Sequence, residues 1–274
     1  MTDEERAARQ SIIDACLRMN ALGINQGTSG NISIRWKDGL LVTPTSTPYD
    51  RMKPEDIVFM RMDGSVSAGR PSSEWRFHRD ILAARAETGA VVHAHPTYCT
   101  IIAIMGRDIP PVHYMVAVAG GDTIRCAPYA TFGTEELSRN AVAALEDRTA
   151  CLLEHHGMIA TGATLDKAMW LAVEVETLAR QYHGCLAIGE PPLLSKDEIE
   201  RVRARMTGYG HAAINASATS CTRGLRPAAS ASRFCRAGEW PGIRIRSFHD
   251  IRNERRGSTQ DPSFDAARSA RPAP

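Results

Sequence analysis

The stretch Gly89-Ala90-Val91-Val92-His93-Ala94-His95-Pro96 reads as a buried strand that ends on two imidazoles. Successive side chains of a strand point to opposite faces, so residues two apart share one. His93 and His95 are therefore set on the same face, within reach of a single cation. That is a metal-site geometry, and its weight depends on whether the rest of the chain supplies further ligands and a base.

Outward from that strand, helical and extended periods alternate. Upstream, Thr2 and Glu5 form a capping box for a helix over residues 2–22, whose apolar stripe is Ile12, Ile13, Cys16, Leu17 and Met19, and Gly23 ends it. Residues 32–36 alternate like a strand, Asp38-Gly39 turns the chain into a second strand over 40–43, and 56–62 is a third. Ser72-Ser73-Glu74 opens a helix to about Ala86. Downstream, residues 101–105 are helix-like, 124–129 is a short strand, and Thr134 caps a helix with Glu135 and Glu136 in its first turn. Strands over 150–153 and 158–160 flank His155-His156-Gly157, the longest helix runs from Thr164 to about Ala187, and a short one covers 196–206. Hairpin signals among the strands make this an α/β fold with a central, mostly antiparallel sheet covered by helices.

At 274 residues and 43% hydrophobic content, the chain can fill a sizeable core. No run approaches the roughly 18 apolar residues of a membrane span, and the acidic opening Met1-Thr2-Asp3-Glu4-Glu5 is unlike a signal peptide, so a cytoplasmic protein with no membrane partner is expected. Seven scattered cysteines without CxxC pairs read as reduced thiols rather than metal ligands. The net charge of +2 hides an asymmetry: residues 211–274 carry +6 and residues 1–210 carry −4. The basic excess belongs to the tail, and the folded part shows no nucleic-acid-binding pattern. After Tyr209-Gly210 every period is lost and the text turns to Ala, Ser, Arg and Pro. We therefore expect a catalytic domain over 1–210 and a disordered or frame-shifted tail over 211–274.

Catalytic divalent-metal sites have three protein ligands and an open position. His156, beside a glycine at a strand turn, is the best third ligand, with His155 pointing the other way. Glu74 is the candidate base, since a carboxylate near a metal can take a proton from a carbon whose neighbouring carbonyl the metal polarises. Thr28-Ser29-Gly30-Asn31, Thr45-Ser46 and Ser72-Ser73 gather hydroxyls, amides and backbone N–H groups that bind phosphate without a lysine. A phosphorylated small substrate is expected. His78, His113, His183, His211 and His249 read as structural or surface residues.

The ordered set Asn25-Gln26-Gly27-Thr28-Ser29-Gly30-Asn31, Thr43-Pro44-Thr45, Pro71-Ser72-Ser73-Glu74-Trp75-Arg76-Phe77-His78, Val91-Val92-His93-Ala94-His95, His113-Tyr114-Met115, Cys126 to Gly133 and His155-His156-Gly157 resembles the class II aldolase/adducin family over about residues 8–210. Within the family, the pattern is most similar to the members acting on L-fuculose 1-phosphate. The resemblance implies His93, His95 and His156 as zinc ligands, with manganese as the alternative metal. It implies Glu74 as the acid/base, and Thr28, Asn31, Thr45, Ser46, Ser72 and Ser73 as the phosphate pocket. Tyr114 corresponds to a tyrosine delivered from a neighbouring subunit of a homotetramer, and Tyr209 to a C-terminal tyrosine that positions the aldehyde.

The implied activity is that of a carbon–carbon lyase. L-fuculose 1-phosphate, or a similar deoxyketose phosphate, is cleaved through a metal-stabilised enediolate to dihydroxyacetone phosphate and an aldehyde such as L-lactaldehyde. Sister activities are a sugar-phosphate 4-epimerase, which typically has Asp where this chain has Glu74, a dehydratase and a decarboxylase. A non-catalytic adducin-like domain would be expected to lack the ligand histidines. One departure stands out: Ser46 occupies the family's usual glycine position, adding a Cβ and a hydroxyl to the pocket.

Overall fold

The computed structural model describes residues 1–206. Seven strands form one sheet: β1 (Asn31–Trp36), β2 (Gly39–Val42), β3 (Val58–Arg61), β4 (Ala90–Ala94), β5 (Arg125–Ala127), β6 (Ala150–Leu153) and β7 (Gly157–Gly162). Their order is β3-β2-β1-β4-β7-β6-β5, which puts the His-x-His strand in the centre. Every neighbouring pair is antiparallel except β5 and β6. The mostly antiparallel sheet expected from the hairpin signals is present.

Among the described residues there are six helices, α1 (Asp3–Ala21), α2 (Trp75–Ala84), α3 (Thr97–Ile104), α4 (Glu135–Ala144), α5 (Leu165–Leu186) and α6 (Lys196–Met206). The first five cover the two faces of the sheet, and α6 packs on the segment Tyr114–Ala119. Alternation along the strands divides the core in two. Ala90, Val92 and Ala94 of β4 join Ile32, Leu41, Met158 and Ala160 in a core completed by α1, α3 and α5. Val91 joins Leu40, Val42 and Ile159 against Phe77, Ile81 and Leu82 of α2 and Leu137 and Ala141 of α4. With both faces covered, β4 reads as an uninterrupted apolar run until its histidine. Fully burying each such Val, Ile or Leu contributes about 1.5–3 kcal/mol.

Two helix starts differ from the periodicity. The third helix starts at Thr97, four residues earlier than its apolar run, because the Glu176 carboxylate of α5 accepts the free N–H groups of Tyr98 and Cys99. Helix α2 starts at Trp75, so Glu74 precedes the first turn instead of belonging to it, and its side chain caps nothing. Two short 3-10 segments, Pro54–Asp56 and Tyr114–Ala119, are too brief to show a period. Among the described residues, no helix is long and apolar enough to cross a membrane. The expected tail over 211–274 and Tyr209 lie outside the described residues.

Candidate metal centre

The antiparallel register sets Asn31 of β1 directly opposite His93 of β4, which places both side chains on the α2 face. His95 lies one residue beyond the end of β4, and His156 lies in the tight turn between β6 and β7. That turn depends on its glycine. A Cβ on Gly157 would sit 2.5 Å from the Ala94 carbonyl oxygen and 2.8 Å from the His95 ring. His155 takes a left-handed backbone (φ 54°) and stays exposed, while His156 turns inward, as expected.

The three imidazoles converge. Their ring centroids are each 4.8 Å apart, with planes 69–76° from one another. His93 Nε2 lies 2.9 Å from His95 Nε2 and 3.2 Å from Glu74 Oε2, and His156 Nε2 lies 3.2 Å from Glu74 Oε1. One ligand atom from each of the four residues falls within 4.8 Å of the others. The tautomer of His93 follows from its other nitrogen: Nδ1 donates to the Met158 carbonyl at 2.9 Å, so the Nε2 lone pair faces the cluster. His95 Nε2 lies within hydrogen-bond distance of that lone pair, so either an N–H of His95 or a cation bound between the rings satisfies it. Glu74 Oε1 is moreover one of two buried side-chain polar atoms without a hydrogen bond among the described residues. Three nitrogens, an orphaned carboxylate oxygen and an open side fit a divalent cation.

Charge and burial agree with that reading. Burial disfavours the charged form of Glu74, but the imidazoles of His93 and His156 and the Asn31 amide outweigh it and hold the carboxyl below the usual carboxylate range. Burial, reinforced by the neighbouring imidazoles, holds the pKa of His95 down to about 3 and that of His156 to about 4. Both rings are thus neutral, the ligand form, at physiological pH. Buried His78 is likewise held down to about 3 by desolvation.

These shifts predict an acid-labile fold. In the unfolded chain the same histidines take up protons near pH 6.5, whereas the native rings refuse them until about pH 3–4. Between those limits the unfolded state binds more protons, so stability is complete above about pH 6.5 and falls as the pH drops through the window. Urea midpoints of chelator-treated protein should fall steadily from pH 7 to pH 4. A flat profile would contradict the assignment.

Beside the cluster, Thr28, Ser29, Asn31, Thr45, Ser46, Ser72 and Ser73 line a small polar cavity with Glu74 at its floor. All six sequence-predicted phosphate residues are brought together there, and among the described residues no Lys or Arg side chain lines it. A phosphate would meet hydroxyls, backbone N–H groups and the N-terminal end of α2. Ser29 belongs to the hydroxyl-rich cluster read at 28–31 but not to the phosphate set that the resemblance implies. It lines both this cavity and the adjoining one shared with Glu74, His95 and His156, and its place inside Thr28-Ser29-Gly30 was the available signal. Asn31 lines that cavity and also contacts the base and a buried histidine. Its side chain is buried, Nδ2 donates to Glu74 Oε2 at 2.9 Å, and Oδ1 contacts His78 Nε2 at 2.5 Å. His78 is accordingly no surface residue. Tyr114 is 47% exposed and lines neither cavity of its own protomer.

Ser46 holds a left-handed backbone (φ 54°), the conformation for which glycine is the usual choice. Ser46→Gly relieves about 1–2 kcal/mol of strain against about 0.5–1 kcal/mol of added unfolded-chain entropy. Thermal denaturation should therefore show a small net stabilisation, and a lower Tm would contradict the strain.

The family model for the class II aldolase and adducin N-terminal domain matches residues 10–183. The chain belongs to this class II aldolase and adducin family. Among its relatives, the 5-methylthioribulose-1-phosphate/5-deoxyribulose-1-phosphate aldolase of Rhodospirillum rubrum is 56% identical over 205 residues, 74% of this chain and 93% of that protein. The L-fuculose phosphate aldolase of Escherichia coli (strain K12) is 51% identical over 210 residues, 76% of this chain and 97% of that protein. A solved L-fuculose 1-phosphate aldolase superposes with a TM-score of 0.72 at 35% identity, covering 75% of this chain and 97% of its own.

Proposed function

We propose that the chain is a zinc-dependent aldolase that cleaves a ketose 1-phosphate to dihydroxyacetone phosphate and a short aldehyde. The observation that carries this reading is the convergence of three imidazole nitrogens and the Glu74 carboxylate beside a hydroxyl-lined cavity. His93, His95 and His156 would hold the cation, which when bound supplies Lewis-acid polarisation of the substrate's carbonyl oxygen. Zinc suits an all-imidazole set, and manganese is the alternative. Thr28, Thr45, Ser46, Ser72 and Ser73 bind the phosphate, with Asn31 at the junction between phosphate and base.

In cleavage, the hydroxyl on the aldehyde side loses its proton, the carbon–carbon bond breaks, and its electron pair remains on the phosphate-bearing fragment. Glu74, which takes up a proton from water during turnover, delivers it to that carbon, completing dihydroxyacetone phosphate and returning to the ionised carboxylate. The proton lost by the hydroxyl leaves by way of Tyr114 to solvent. In the reverse direction the ionised carboxylate removes the same proton. Tyr114 manages the proton on the aldehyde oxygen. Its exposure outside its own site supports delivery from a second subunit of a homotetramer. We assign Tyr209 to aldehyde positioning and residues 1–210 to the catalytic domain. We place the enzyme in the cytoplasm, with 211–274 as a separate tail.

A methylthioribulose/deoxyribulose phosphate aldolase at 56% identity and a fuculose phosphate aldolase at 51% are similarly close, which supports a deoxyketose 1-phosphate as the substrate class. The deciding experiment supplies L-fuculose 1-phosphate, 5-deoxyribulose 1-phosphate and 5-methylthioribulose 1-phosphate separately, with coupled detection of dihydroxyacetone phosphate. At least one should be cleaved, and a chelator should abolish that cleavage. Release of an epimer without dihydroxyacetone phosphate would instead establish the sister 4-epimerase reaction.

A further inference from the structure

A buried polar chain on the α2 face of β1 ends on Glu74 Oε2, and the proposed chemistry gives no role to its far members, Ser33 and His78. Ser33 Oγ is 2.8 Å from His78 Nδ1, His78 Nε2 is 2.5 Å from Asn31 Oδ1, and Asn31 Nδ2 is 2.9 Å from Glu74 Oε2. Ser33 and His78 are fully buried, and Asn31 is 5% exposed. Two elements supply the chain. Asn31 and Ser33 are two residues apart on β1 and so share a face, and His78 projects from the first turn of α2, which follows directly on Glu74.

Chemistry fixes the direction of every bond. An ionised carboxylate only accepts, so Asn31 presents its NH2 to Glu74 and its oxygen to His78. His78 must then carry its proton on Nε2, and its bare Nδ1 accepts from the Ser33 hydroxyl. All three bonds therefore run one way, from Ser33 to Glu74 Oε2. They leave Oε1 without a hydrogen bond, on the side of His156.

We propose that Ser33, His78 and Asn31 form a positioning brace that locks Glu74 by Oε2 and reserves Oε1 as the oxygen that carries the proton. The brace rests on the assignment of Glu74 as acid/base in the preceding section. Buried polar chains of this kind specify one arrangement when every member is satisfied, and here each link has a single solution. Replacing His78 by an apolar residue frees the Asn31 amide to turn its oxygen toward the carboxylate, which would repel Glu74 from its working position. His78 and Ser33 touch no reacting atom, so their effect passes entirely through Glu74.

Two measurements test the brace. Neutron diffraction from crystals of the full-length, metal-loaded protein should find deuterium on His78 Nε2 and none on Nδ1, with the Ser33 hydroxyl deuterium pointing at the ring. Deuterium on Nδ1, or an Asn31 oxygen facing Glu74, would overturn the proposal whether or not the protein is an aldolase. In kinetics with the best ketose 1-phosphate, His78→Leu should lower kcat about 10- to 100-fold, as loss of outer partners does. KM and metal content should stay near wild type.

His78→Gln, which can donate to Asn31 and accept from Ser33 through one amide, should recover most of that loss; a purely packing role would favour Leu over Gln. Wild-type kcat in folded, metal-loaded His78→Leu, or Gln no better than Leu, would refute the brace. Ser33→Ala is the smaller lesion for use if His78→Leu does not fold. It should lower kcat in the same direction, and an unchanged kcat there would count equally against the brace. A wild-type protein that cleaves nothing would sink the proposed function while leaving the neutron result to decide the brace.

Discussion

Glu74→Gln is expected to keep its metal and lose turnover by about 10²- to 10⁴-fold, the usual share of a positioned acid/base. The substitution preserves shape. The glutamine carbonyl can still accept from Asn31 Nδ2, and the three imidazoles remain free to bind the cation. What disappears is the group able to move a proton at the carbon beside the carbonyl. The measurement is exchange of the hydroxymethyl protons of dihydroxyacetone phosphate in D2O, followed by NMR alongside metal analysis. Wild-type protein should exchange them and Glu74→Gln should not. Undiminished exchange in a metal-loaded variant would move the base elsewhere.

Removing the imidazoles acts one step earlier. Structural zinc sites bind with about 10–16 kcal/mol over four ligands, so each ligand is worth several kcal/mol, on the order of 10²- to 10³-fold in affinity. His95→Ala and His156→Ala should each lose metal on dialysis and lose cleavage with it, while the metal-free fold stays near wild-type stability, because both side chains lie at the cavity edge. His93→Ala should do the same and also destabilise the fold. His93 is fully buried in the central strand, and its loss leaves the Met158 carbonyl without its donor, at about 1–3 kcal/mol. Metal retained in the triple variant would refute the site.

How much of this was legible in the sequence depends on the range of the interaction. The His-x-His strand and the Thr134 cap are written in local periods and turn chemistry and stand where expected. The hairpin expected at Asp38-Gly39 turns one residue earlier, on Lys37-Asp38, with Gly39 already paired to Trp36 in β2. His156 and Glu74 were identifiable as residue types at strand and helix ends, where backbone geometry frees a side chain to turn inward. The contact of Asn31 with Glu74 and His78, and hence its bracing role, was not legible. That role requires the register pairing Asn31 with His93 and the packing of α2 over that face, neither of which a single strand's pattern encodes. His78 hid for the same reason, since on its own helix it looks like one more buried position. Tyr114 stands on a 3-10 segment too short to have a period, and its destination would be another subunit.

X-ray absorption at the zinc edge, on protein purified with about one zinc per chain, tests the central claim most directly. Three imidazole nitrogens at about 2.0–2.1 Å with oxygen completing the shell is the predicted result. A shell containing sulfur near 2.3 Å, or one without histidine scattering, would contradict it.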